Sequence, residues 1–157
     1  MNSAPPTIAQ ALQALTAAGL PRLEAQMLLL HVLNQPTHAR AWLLTHDGEA
    51  LPAATAQRLA ALVERRRAGE PIAYLVGQKA FHGLTLQVDA RVLDPRDDTE
   101  TLVDWALELL PLATAAAASA TVLDLGTGSG AIALAVAQQR PHARVTAVDA
   151  SADALAV

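Results

Sequence analysis

The chain has 157 residues, of which 52% are hydrophobic, enough for a buried core and too apolar for a disordered tail. Fifteen acidic against eleven basic residues leave a net charge of -4, which gives no electrostatic ground for tracking a nucleic-acid backbone, so a protein or a small molecule is the expected partner. There is no cysteine, and the five histidines show no ligand spacing such as H-E-x-x-H, so disulfides, thiolate metal sites and a metal centre are not expected.

The first residues have no basic stretch followed by an apolar one, and no window of about 18 uninterrupted apolar residues occurs, so neither export nor membrane insertion is expected and the cytoplasm is the default compartment. Residues 7–69 read as helical. Thr7 with Gln10 makes a capping box ahead of the face Ile8, Ala11, Leu12 and Leu15, and Gly19 ends that helix. Residues 22–33 are apolar nearly all round, as in a helix inside a bundle. A third helix over 37–45 presents Trp42. A fourth over 52–68 turns Leu59, Leu62 and Val63 inward and ends in Arg65, Arg66 and Arg67, basic residues that offset the helix dipole and face water.

After Gly69 the texture becomes strand-like. Residues 74–81 and the alternating Leu84, Leu86 and Val88, separated by His82-Gly83, predict a β-hairpin. Asp97-x-x-Glu100 then predicts a capped amphipathic helix through Leu102, Val103, Trp105, Ala106 and Leu109, followed by an alanine-rich link over 113–120. Residues 121–157 predict a β-α-β unit: a strand over 122–125, a glycine turn, a helix over 131–138, a strand over 145–148 and then Asp149. The fold class is therefore α/β, with an all-α domain at residues 1–69, a hairpin connector at 70–96, and the first β-α-β of a Rossmann-like domain at 97–157, expected to be truncated.

The chemistry lies in Asp124-Leu125-Gly126-Thr127-Gly128-Ser129-Gly130, which closes a strand and opens a helix. Glycines there permit positive φ and close approach of a ligand to the main chain. Asp149, at the end of the next strand, is placed to accept hydrogen bonds from ribose hydroxyls. The string also fits G-x-G-x-x-A through Gly126, Gly128 and Ala131, so a dinucleotide site and a purely structural turn stay open. Asp124, two positions before the first glycine, is poorly placed beside a pyrophosphate and suits a cationic cofactor such as S-adenosylmethionine. The candidate cofactor residues are Asp124, Gly126, Thr127, Gly128, Ser129, Gly130 and Asp149.

Three further stretches carry a resemblance: residues 69–77 (GEPIAYLVG), residues 81–84 (FHGL) and residues 92–103 (VLDPRDDTETLV), followed by the glycine loop. In this order the chain resembles the HemK/PrmC family of release factor glutamine N5-methyltransferases. The resemblance implies S-adenosylmethionine as cofactor and a peptide-chain release factor as protein substrate. It also implies a helical domain that positions that substrate, and N5-methylglutamine as product. Arg96, Thr99 and Glu100 are candidates for the active-site wall. Two positions depart from the family pattern, Asp94 for isoleucine and Asp97 for proline, which predicts a looser turn in which Asp97 still caps the next helix. For Glu100 a capping role competes with a functional one.

The family's substrate clamp, Asn-Pro-Pro-Tyr, does not occur, and the asparagines are Asn2 and Asn34. No catalytic residue is therefore assigned, and the chain alone is expected to be inactive, to bind cofactor weakly, and either to self-associate through an open sheet edge or to leave its C-terminal segment mobile. Another methyltransferase of the same class and a non-catalytic binding fragment are the alternatives. Neither direct nucleic-acid binding nor a membrane role is expected.

Overall fold

A computed structural model describes residues 5–110 and 120–157, so the predicted link over 113–120 lies, apart from Ala120, outside the described residues. The chain divides into two units, Met1–Val76 and Gly77–Val157.

In the first unit α1 (Ile8–Ala17) begins with the predicted capping box: Gln10 N–H donates to Thr7 Oγ1 and Thr7 N–H to Gln10 Oε1. It ends at Gly19, whose φ of 91° lets its own amide and that of Leu20 reach back to Thr16 O and Leu15 O. Helix α2 (Arg22–Val32) is the centre of the unit, with Ala25, Leu28, Leu29 and Leu30 fully buried, because α1, α3 (Arg40–Thr45), α4 (Ala53–Arg67) and α5 (Ile72–Val76) all pack on it. The third helix is shorter than the sequence suggests, starting only at Arg40.

The three arginines closing α4 are paired. Arg65 holds Glu70, Arg67 holds Glu64, and Arg66 makes a two-point contact with Glu24 of α2, at 2.6 and 2.9 Å.

A strand beginning at residue 74 is not what forms. Ile72–Val76 is helical, with Ala73, Leu75 and Val76 buried and the helix packed on α2 and α4, and β1 (Gln78–Phe81) begins only after Gly77. The β-branched and aromatic residues here favour a strand only weakly, and burial on the helical unit decides the outcome.

The second unit opens with a hairpin in which β1 pairs antiparallel with β2 (Leu84–Gln87), ending in Phe81 opposite Leu84. His82 and Gly83 both have positive φ, 45° and 79°, as a two-residue hairpin turn requires. Helix α6 (Thr99–Leu109) follows. The predicted cap by Asp97 is absent: the N-cap position is Asp98, with no side-chain cap bond, and the Asp97 carboxylate instead accepts from Lys79 Nζ at 2.9 Å. Nor does Glu100 close a capping box, because its Oε1 accepts the His82 amide at 2.7 Å. At the other end of α6, Arg140 donates to Leu107 O and Leu110 O. The β-α-β unit forms as predicted, with β3 (Thr121–Leu125) parallel to β4 (Arg144–Val148), Leu125 opposite Val148, and α7 (Ala131–Gln139) between them in sequence. A short α8 (Ala152–Leu155) follows, capped by Ser151. Leu123, Leu125 and Val148 share one face of the two-stranded sheet and are 58%, 73% and 41% exposed. Among the described residues no helix is long and apolar enough to cross a membrane, and no group of three or more acidic or histidine side chains could hold a metal ion.

Candidate cofactor site

The loop from Asp124 to Gly130 leaves β3 and enters α7 through three left-handed glycines, Gly126 at 75°, Gly128 at 55° and Gly130 at 76°. No other residue type takes that sequence of angles without strain. The loop is fastened to the end of β4: Gly126 N–H and Thr127 N–H both donate to Val148 O, at 2.8 and 3.0 Å. Asp149 continues this attachment. Its Oδ2 accepts the Gly128 amide at 2.8 Å and its Oδ1 accepts the Ser151 amide at 2.9 Å, so a carboxylate 21 residues away in sequence closes over the loop. The amides of Ser151 and then Gly128 hold the Asp149 carboxyl below its usual range, and it stays ionised at neutral pH.

Asp124 also faces into the loop, its Oδ2 accepting the Thr127 hydroxyl at 2.7 Å. Ser129 is half-buried and Gly130 starts the helix, its carbonyl receiving the Leu134 amide at 2.8 Å. The seven predicted cofactor residues therefore belong to one arrangement, Asp124 to Gly130 by contiguity and Asp149 by hydrogen bonding. Among the described residues a Cβ built on Gly126 or Gly128 meets nothing within 4 Å, whereas one on Gly130 comes within 3.3 Å of Leu134. The open side of the loop is thus over its first two glycines. The Asp149 carboxylate accepts from Gly128 and Ser151, with the Ala150 amide also beside it, and two carboxylate oxygens have capacity for further donors, which fits a ligand carrying hydroxyl groups. Two carboxylates at the ends of adjacent parallel strands also fit a ligand with positive charge.

The three candidate wall residues make no hydrogen bond to this loop among the described residues. Arg96 is exposed, Thr99 begins α6, and Glu100 is engaged with the hairpin. The sequence reading missed what the hairpin does with its polar groups. His82 Nε2 lies 2.9 Å from Asp104 Oδ1, and Lys79 holds Asp97. The H-G turn itself was legible, but its partners stand 18 and 22 residues further on, where no local pattern points to them.

Residues 7–77 match the family described as the PrmC N-terminal domain, and residues 99–157 match the methyltransferase small domain. A release factor glutamine methyltransferase of Bordetella pertussis is 51% identical over 139 residues, 88% of this chain and 49% of that relative. One from Xylella fastidiosa is 48% identical over 143 residues, 90% of this chain and 50% of the relative. One from Burkholderia pseudomallei is 46% identical over all 157 residues and 53% of its own length. The chain spans about half the length of the curated relatives it matches.

Proposed function

The chain belongs to the HemK/PrmC family of release factor glutamine methyltransferases, and from that premise we propose that its glycine loop holds S-adenosylmethionine for methylation of a glutamine side-chain amide in a peptide-chain release factor. The observation that carries this reading is the closure of Asp149 over the loop, with Gly128 N–H on Oδ2, spare acceptor capacity on the carboxylate, and, among the described residues, open space over Gly126 and Gly128. In this reading Asp149 accepts from the ribose hydroxyls, the glycines admit the nucleoside to the main chain, and Asp124 balances positive charge on the amino-acid end. The bound cofactor would supply a methyl group on a sulfonium centre, a good leaving group, so the protein's task is orientation. The helical unit would serve the release factor, and the cytoplasm would be the site of action.

Calorimetric titration tests the cofactor assignment directly. The wild-type chain is expected to bind S-adenosylmethionine and not NAD, and Asp149→Asn is expected to weaken binding by about tenfold or more through a lost charged acceptor. Heat with NAD alone, or an Asp149→Asn variant that binds as wild type, overturns the assignment.

A further inference from the structure

Three carboxylates, one just before α6 and two on it, take up the polar groups of the β1–β2 hairpin. Glu100 and Asp104 stand at i and i+4 on one face of α6, and Asp97 lies just before the helix begins. Each takes a different donor: Lys79 Nζ on Asp97 Oδ1 at 2.9 Å, the backbone N–H of His82 on Glu100 Oε1 at 2.7 Å, and His82 Nε2 on Asp104 Oδ1 at 2.9 Å. The strand ladder ends at Phe81 and Leu84, so the His82 amide has no cross-strand acceptor, and without Glu100 it would be a donor left over in a half-buried turn. Neither Arg96 nor Thr99 makes a side-chain bond among the described residues. Helix α6 packs along α7, which starts at the glycine loop.

We propose that Glu100 is a positioning residue, which holds the hairpin turn on the first turn of α6 and so fixes the segment bearing Arg96 and Thr99 and the seating of α6 on α7, without itself meeting cofactor or substrate. The proposal rests on the methyltransferase reading above. A charged role and a positioning role separate at glutamine: Glu100→Gln keeps an oxygen to accept the His82 amide and loses the charge, whereas Glu100→Ala loses both.

The test is amide hydrogen exchange at His82 together with S-adenosylmethionine titration, on the wild-type chain, E100Q and E100A. E100Q is expected to match wild type in both. E100A is expected to exchange the His82 amide about tenfold faster or more, as a locally opened contact does, and to bind cofactor more weakly. An E100Q variant that loses affinity with His82 still protected would put the carboxylate on the ligand and overturn the proposal. So would E100A with normal affinity, whether or not protection is lost, because the contact would then be structural only. If E100A does not fold, E100Q decides: affinity and protection retained support the proposal, and loss of either overturns it. A wild-type chain that binds no S-adenosylmethionine removes the underlying reading and the proposal with it. That failure is told apart because exchange at His82 involves no cofactor and still reports whether Glu100 holds the turn.

Discussion

Alanine at Gly126 separates a glycine kept for its own backbone from one kept for a ligand. With φ at 75°, an L side chain at Gly126 costs about 1–2 kcal/mol of left-handed strain. Restricting the unfolded chain returns about 0.4–1 kcal/mol of that. Among the described residues the added Cβ meets nothing within 4 Å, so no packing cost is expected and the net loss of stability should stay at about 1 kcal/mol. Gly130→Ala carries the same backbone strain and in addition presses on Leu134 Cδ1 at 3.3 Å, so it should be the less stable of the two. Binding should rank them the other way. The space over Gly126 is what a nucleoside lying on the main chain would fill, and a methyl group there should cost at least about tenfold in affinity, or about 1.4 kcal/mol. Urea unfolding and calorimetric titration with S-adenosylmethionine measure the two effects on the same samples. A Gly126→Ala chain that binds like wild type while losing the expected stability would show that no ligand approaches this glycine, and the open loop would be a turn and nothing more.

Other outcomes follow from separate parts of the molecule. Burial, and after it the charge of Arg58, lowers the pKa of His31 below its usual 6.5, so the unfolded chain takes up a proton more readily than the folded one. Its contribution to stability is complete above about pH 6.5 and is lost as pH falls through the lowered native value. Melting temperatures at pH 7.5 and 5.5 should therefore fall with acid, and less so in His31→Gln; equal falls in both chains would acquit His31. Leu28, fully buried in α2, should lose about 2–5 kcal/mol on truncation to alanine, read by chemical denaturation of the helical signal. The exposed face of Leu123, Leu125 and Val148 should drive concentration-dependent association in sedimentation velocity, relieved by Leu125→Lys; a monomer at all concentrations would refute this. With no Asn-Pro-Pro-Tyr among its 157 residues, the chain assayed alone should leave a release factor unmethylated, as judged by peptide mass, and methylation at the rate of a relative of full length would show the clamp to be dispensable.

What the sequence made legible was whatever physics confines to neighbours in the chain. The glycine string, the strands on either side of it and Asp149 at a strand end are each set by local rules, and the β-α-β unit formed around them. The capping box at Thr7 and Gln10 is equally local. Asp97-x-x-Glu100 looked like the same kind of signal and was not, because Lys79 and the His82 amide, brought in by the fold, compete for the same carboxylates. Ile72–Val76 failed for a related reason: a five-residue apolar run fits either a strand or a buried helix, and only the surface of α2 and α4 chooses between them.

The glycine loop is bound to Val148 and Asp149 by hydrogen bonds the protein makes within itself. The conformational entropy of ordering this loop is therefore surrendered when the protein folds, and a molecule arriving at the loop meets a surface already shaped. Capture should then proceed in a single kinetic phase whose rate rises linearly with ligand concentration, with no slow isomerisation to cap it. Differences in affinity among ligands should accordingly appear as differences in residence time, set by what each one touches once it is seated.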